Sequence, residues 1–244
     1  MLRSFLVVLS FISVIPVPQR FIPEWDSESL RYFCPMLELS GAIFGALWLG
    51  IWHVLSLAHM LSPALRGLFM TIFTLAITGG LHLDGLMDSC DALFSHRDRE
   101  TRLRILSDTH AGSFAVMGCV VILISKTLLF SELLTLNVSP SLVPVYSRLG
   151  MAVLLNNLPF AKTGGLAVML GSSRSRKHNV FFAVMVMVLL MCSRTLALAF
   201  VVCLMLWGRV CMKIFGGITG DLLGAFVEIA ESVMMMCLVI RECI

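Results

Sequence analysis

The sequence predicts an all-α integral membrane protein: a polytopic helical bundle of about six spans plus an N-terminal interfacial or re-entrant segment, forming one domain over residues 1–244. Three observations predict this. The mean hydropathy is +0.94. Charged residues make up 14% of the chain, whereas a soluble domain carries about 25%. The apolar residues are gathered into runs that approach the ~20 residues a helix needs to cross a bilayer.

Taken in order, Leu2 to Val17 is apolar but short for a span and ends in Ile15-Pro16-Val17-Pro18. No small-x-small cleavage site follows, so it reads as an uncleaved interfacial or re-entrant segment rather than a signal peptide. Met36 to Leu61 is the first span, and its Ser40, Gly41, Gly45 and Gly50 permit close helix packing. Leu65 to Thr78 is the second and stops at Gly79-Gly80. Ala111 to Leu134 and Leu142 to Leu158 follow, and Leu222 to Ile240 is the last. Val180 to Trp207 is either one long tilted helix or two short spans broken near Arg194.

Loop charge decides between those two readings. Arg97, Arg99, Arg102 and Arg104 lie in one loop, and Lys162, Arg174, Arg176 and Lys177 in another. Basic loops stay cytoplasmic. Only a break near Arg194 returns Arg209 and Lys213 to that side, so two spans are favoured. The net charge of +3 is small and sits in these short loops, which is topology rather than a nucleic-acid-binding face. The eight cysteines form no C-x-x-C pair and read as small apolar residues rather than disulfides or a zinc site.

The chemistry is concentrated in two stretches. In Thr78-Gly79-Gly80-Leu81-His82-Leu83-Asp84-Gly85-Leu86-Met87-Asp88-Ser89-Cys90-Asp91, the aspartates stand at i, i+4 and i+7 and share one helix face. Three carboxylates so close repel one another, and a divalent cation relieves that cost. Oxygen-only ligands suit Mg²⁺, which takes substrate phosphate oxygens as further ligands. An acidic helix start would explain one or two of them, not a stripe of three.

The second stretch is Gly216-Gly217-Ile218-Thr219-Gly220-Asp221, continuing to Glu228 and Glu231. Its glycines allow backbone N–H groups to approach a phosphate ahead of a helix. Glu228 and Glu231 fall inside an apolar helix, where an ionisable group is a functional hypothesis. The competing reading pairs them with Arg148 or Arg194. Asp108 and the small residues after it read as a capped helix start beside the basic loop. Arg148 is either a phosphate ligand or a side chain snorkelling to the interface. Glu38 either joins the acidic site or reaches the interface.

Together these features resemble the cobalamin synthase family, adenosylcobinamide-GDP ribazoletransferase. Thr78 to Asp91 is similar to its G-G-x-H-x-D-G-L-x-D-x-x-D signature, and Gly216 to Glu231 to its G-G-x-T-G-D-x-x-G-A-x-x-E-x-x-E. Asp108 to Phe114 resembles its D-S-x-x-G-x-F. Phe11 to Pro18 and the Pro159 to Leu166 loop match more loosely. The chain departs from the pattern at Val14, Ala92, Thr109-His110 and Lys162.

The resemblance implies a multi-pass enzyme of the cell inner membrane with cytoplasmic active-site loops. It would join adenosylcobinamide-GDP to α-ribazole or its 5′-phosphate and release GMP, with other cobalamin-assembly enzymes as companions. Asp84, Asp88, Asp91 and His82 would form the catalytic group. Asp84 and Asp88 would hold Mg²⁺ on the pyrophosphate, and Asp91, Asp221 or Glu228 would complete the metal shell or take the hydroxyl proton. Asp108, Arg148, Lys162, Gly216, Gly217, Thr219 and Glu231 would bind substrate, with His82, Arg148 and the Gly216-Gly217 turn positioning phosphates. A CDP-alcohol phosphotransferase is disfavoured because Asp88-Ser89 stands where its motif needs Ala-Arg. A transporter is disfavoured because most carboxylates gather at one face.

Overall fold

A computed structural model describes residues 1–18, 30–162, 170 and 173–243. The described residues form α-helices joined by short turns, with a single isolated bridge between Phe160 and Ile218. The helices are α1 (Leu2–Ile12), α2 (Phe33–Leu57), α3 (Pro63–Thr78), α4 (Leu81–Phe94), α5 (Arg99–Ile105), α6 (Ser113–Thr135), α7 (Val143–Asn157), α8 (Arg176–Cys192), α9 (Arg194–Val210) and α10 (Gly220–Cys243).

By length and composition, α2, α6, α10 and the run Arg194–Phe215 are each able to cross a bilayer. The pair α3 and α4 adds a fifth if it is counted as one broken span. Among the described residues, length and composition thus support four or five spans and do not confirm the expected six. Leu65 to Thr78 lies in a 16-residue helix and Leu142 to Leu158 in a 15-residue one, both shorter than a straight crossing requires. At 11 residues, α1 is likewise too short to span. It buries Val7, Val8 and Ile12 and packs on α2.

Two local devices shape the bundle. Gly79 and Gly80 have φ of +62° and +76°, a left-handed pair that residues with a Cβ rarely adopt. They end α3 and swing α4 through 93°, so α4 turns away from the axis of the span before it. The second device is the break at Ser193. Its extended backbone separates α8 from α9, and its side chain accepts from Leu196 N–H. The Tyr146 hydroxyl donates to the Leu189 and Ser193 carbonyls at 2.7 and 3.2 Å, supplying partners to the exposed end of α8. The break expected near Arg194 is there.

Close helix approaches use glycine. A Cβ at Gly41 of α2 would lie 2.9 Å from the Pro144 carbonyl oxygen and 3.0 Å from Val145 Cα on α7. Phe44 and Trp48 of α2 and Tyr146 of α7 are essentially inaccessible. Gly41→Ala must push α2 and α7 apart. It is expected to lower stability by about 1–3 kcal/mol, read as a reduced thermal midpoint in detergent; an unchanged midpoint would rule out so close an approach.

Candidate active site

The site forms where α4 crosses the start of α10. A Cβ at Gly85 would lie 2.7 Å from the Asp221 carbonyl oxygen, and one at Gly224 would lie 3.2 Å from His82 Cα. The two acidic stretches thus interlock backbone to backbone through one glycine each. The opposite pattern on α4 explains its orientation. His82, Gly85, Leu86, Ser89 and Ala92 are buried along one helical stripe. Asp84 is exposed and Asp88 half-buried on the other side. Asp88 is within electrostatic reach of Asp84, Asp221, Asp91 and Asp108.

These carboxylates differ in what they touch. Among the described residues, Asp84 and Asp88 accept no hydrogen bond. Asp221 accepts one from the Thr219 hydroxyl at 3.3 Å, and the charge of Lys162 acts on it. Asp91 is used otherwise than the sequence suggests. Its two oxygens accept from Gly112 N–H at 2.6 Å and Ala115 N–H at 2.9 Å, capping the N-terminus of α6. Asp108, expected to cap that helix, instead closes a tight turn onto His110, with Oδ1 3.0 Å from the backbone N–H and 2.7 Å from Nδ1. Those two contacts hold its carboxyl below the usual range.

No group of three carboxylate, imidazole or thiolate side chains among the described residues is close enough to grip a metal by itself. That fits Mg²⁺, which is bound through one or two carboxylates together with waters and substrate phosphates rather than by an all-protein cage. Asp84 and Asp88, which accept no hydrogen bond, offer hard oxygen donors within electrostatic reach of Asp221.

The glycine turn is also put to a different use. Gly216, with φ of +71°, lies under the Arg99 guanidinium, which occupies the space a Cβ would need. Gly217 packs against Pro159 to Ala161, where Ala161 N–H donates to the Ile218 carbonyl at 2.9 Å and Ile218 N–H to the Pro159 carbonyl at 2.8 Å. The glycines admit an arginine and a second chain segment. Gly220 is the residue with open space beside it, at the N-terminus of α10. Lys162 donates to the Ser107 hydroxyl, so both basic loops meet at the aspartate end. Residues 163–166 of the Pro159 to Leu166 loop lie outside the described residues.

Glu228, Glu231 and Arg148 correct the sequence reading most. Glu228 and Glu231 do not join the aspartates, and Arg148 does not face an open phosphate site. Lys126 Nζ is 2.6 Å from Glu228 Oε2 and donates to Glu231 Oε2 at 2.8 Å. Arg148 pairs with Glu231 Oε1, which also accepts from Ser147 Oγ at 3.0 Å. The Arg148 guanidinium lies 4.5 Å from the Phe44 ring centre. Two cations and two anions, each at most 6% exposed, join α6, α7 and α10 at zero net charge. Lys126 escaped the sequence reading because it is one residue in an apolar run; a lone intramembrane lysine was the available signal. Glu38 is buried in α2 with both oxygens lacking a hydrogen bond.

A cavity of about 170 Å³ opens beside the carboxylates. His82, Asp84 and Asp221 form its polar side, and Phe11, Phe33, Met151, Leu155, Leu170 and Leu223 its apolar wall. His82 is 1% exposed and neither ring nitrogen has a partner.

The fold and site define a helical membrane protein with an acidic cluster and a cavity at one end of its bundle. The model of the cobalamin-5-phosphate synthase family matches residues 4–239, and the chain belongs to that family. A relative named adenosylcobinamide-GDP ribazoletransferase from Geobacillus kaustophilus (strain HTA426) is 34% identical, covering 95% of this chain and 93% of its own. One of the same name from Halalkalibacterium halodurans is 34% identical over 94% and 92%. One from Klebsiella pneumoniae subsp. pneumoniae is 30% identical over 98% and 100%. No solved structure matches the chain.

Removing one partner of a buried ion group strands its counter-charge. Lys126→Met leaves Glu228 unbalanced and is expected to cost about 3–5 kcal/mol. Adding Glu228→Gln leaves Glu231 balanced by Arg148 and should restore most of that loss. Thermal unfolding in detergent tests both; a double variant no more stable than Lys126→Met would contradict charge balance as the cause. Asp91→Ala removes the α6 cap and is expected to cost about 1–2 kcal/mol, with ribazole-transfer activity surviving at temperatures where the variant is folded. Complete inactivity of folded protein would restore Asp91 to the reaction centre.

Proposed function

We propose that this chain transfers the adenosylcobinamide phosphate group of adenosylcobinamide-GDP to α-ribazole, or to α-ribazole 5′-phosphate, and releases GMP. This is the final assembly step of cobalamin. The observation that carries the reading is the meeting of Asp84, Asp88 and Asp221, from two motifs far apart in sequence, with free oxygens at one end of the bundle. Membership of a family whose relatives bear that enzyme name supplies the substrates.

In the proposed step, a ribose hydroxyl of α-ribazole attacks the phosphorus that carries the aminopropanol arm. A new P–O bond forms, the pyrophosphate P–O bond breaks, and the electron pair leaves with GMP. Asp221 takes the hydroxyl proton: it lies on the cavity wall, whereas Asp91 is committed to a helix cap and Glu228 to Lys126. Asp84 and Asp88 would hold Mg²⁺ against the pyrophosphate, where a divalent cation neutralises charge developing on phosphate oxygens. Lys162 and the N-terminus of α10, left open at Gly220, bind phosphate oxygens.

The site is proposed to face the cytoplasm at the inner membrane. Arg97, Arg99, Arg102, Arg104, Lys162, Arg174, Arg176 and Lys177 all belong to the loops that gather near it, as the positive-inside rule favours. That face is also where other cobalamin-assembly enzymes would dock. A transport reading finds less support, because the intramembrane carboxylates Glu228 and Glu231 are neutralised by fixed cations.

The test is GMP release by purified protein in liposomes supplied with adenosylcobinamide-GDP and α-ribazole. Asp84→Ala and Asp88→Asn are each expected to lower kcat at least about a hundredfold. Removing divalent cations with EDTA should stop turnover, and Mg²⁺ should restore it. Near wild-type turnover by Asp84→Ala, or turnover indifferent to EDTA, would sink the assignment.

A further inference from the structure

A groove of about 400 Å³ runs between α7 and α9, on a flank where Met205 and Met212 are exposed. Val153, Leu154 and Leu158 of α7 and Leu204 and Met205 of α9 give it hydrocarbon walls, and Arg209 stands at its end toward the acidic site. Gly208 keeps the groove open. A Cβ there would lie 3.7 Å from Leu154 Cδ2 and 3.9 Å from Leu158 Cδ1, which are ordinary contact distances. At Gly41 and Gly85 the missing side chain lets two backbones touch. At Gly208 it leaves a gap that a larger residue can fill. Protein interiors leave few such gaps; on a lipid-facing flank, a lipid chain fills them.

Charge selects the kind of lipid. From Leu133 to Gly220 the chain has no aspartate or glutamate, yet it has eight lysines and arginines. Arg148 is neutralised by Glu231, and Arg194 begins α9 at the end away from the acidic site. The other six, Arg209 among them, belong to the end of the bundle that carries that site. Arg209 and Lys213 are exposed, and among the described residues neither has a hydrogen-bonded or ion-paired partner. Asn157, the other polar residue lining the groove, exchanges two amide hydrogen bonds with Asn179, at 3.0 and 2.9 Å. Arg209 is therefore the uncommitted polar group of the groove.

We propose that this groove holds one anionic phospholipid, with an acyl chain between α7 and α9 and the headgroup phosphate on Arg209. A guanidinium meets phosphate oxygens through two parallel N–H donors, and basic pockets between membrane helices bind anionic headgroups. An arginine that only snorkels needs water above it and no cleft beside it; the cleft singles out Arg209. A second copy of the chain fits less well. A two-fold contact sets the same patch against itself, and this flank would then oppose cation to cation with no carboxylate between. The bound lipid also bears on the acidic site. Trp207, next to Gly208, donates from Nε1 to the Leu222 carbonyl at 2.8 Å, and α9 continues through a π-helical turn, Cys211–Phe215, into Gly216. A lipid seated beside that turn braces the segment that carries Asp221. The inference goes beyond the transfer reading and does not depend on it.

The test is native mass spectrometry of the full-length chain released from vesicles of equal parts phosphatidylglycerol and phosphatidylcholine. Wild-type protein should retain one phosphatidylglycerol with at least about fivefold preference over phosphatidylcholine. Added phosphatidylglycerol should raise its thermal midpoint in detergent, and added glycerol phosphate should not. Arg209→Gln should lose the preference. Gly208→Leu fills the groove, keeps every charge and favours the helix; it should lose the bound lipid as well. Equal retention of the two lipids by wild-type protein would overturn the proposal without any variant needing to fold. A preference that survives Gly208→Leu would overturn it by assigning selectivity to surface charge rather than to the groove. Equal stabilisation by glycerol phosphate would overturn it in favour of a free-anion site. A wild-type dimer that Gly208→Leu dissociates would overturn it by giving the groove to a second copy.

Discussion

Everything at the acidic end of the bundle depends on how closely α4 and α10 cross. Asp84 and Asp221 belong to segments separated by more than half the chain, and each sits one residue or a few from a glycine at the crossing. The absence of side chains at Gly85 and Gly224 lets the two backbones touch. Small residues are the usual means of close approach between membrane helices, where apolar side chains gain little by leaving lipid for protein. Here that packing rule also serves chemistry, because the touching backbones carry the carboxylates.

A crossing of this kind must be held in register, and the hydrophobic effect is a poor instrument for that within a bilayer. The buried group of Lys126, Arg148, Glu228 and Glu231 is a better one. Its directional contacts join α6, α7 and α10 at defined heights. Unpaired, any of these charges would be expensive at that depth; balanced, they specify one arrangement of three helices. The left-handed glycine pair at 79–80 sets the remaining coordinate, turning α4 across the bundle.

This division of labour separates carboxylates that look alike in sequence. Asp91 and Asp84 belong to one stripe, yet Asp91 receives two backbone N–H donors and Asp84 none. Glu231 and Asp221 belong to one motif, yet Glu231 is neutralised by two cations while Asp221 lines a cavity. Availability, rather than type or spacing, distinguishes groups that can meet a substrate from groups that hold the scaffold. The cavity sharpens the distinction, since Asp84 and Asp221 line it and Asp91, Glu228 and Glu231 do not.

Much was legible without coordinates. Composition and run length determined an all-helical membrane protein, Gly79-Gly80 marked the end of a helix, and loop charge located the break at Ser193. The aspartate stripe and the glycine-rich turn identified the family and the two stretches that cross at the acidic end of the bundle. These features are local, so periodicity and turn chemistry expose them. Helix length and composition support four or five spans rather than confirming six, because apolar runs record hydropathy and not the bend that ends α3 or the length of α7. What the tertiary structure alone decided was pairing: Lys126 with the two glutamates, Asp91 with the start of α6, Arg99 over Gly216, and a cavity walled from five helices. A sequence records which residues can carry charge. Which of those charges is cancelled depends on contacts between distant segments, and only the packed bundle brings them within reach of one another.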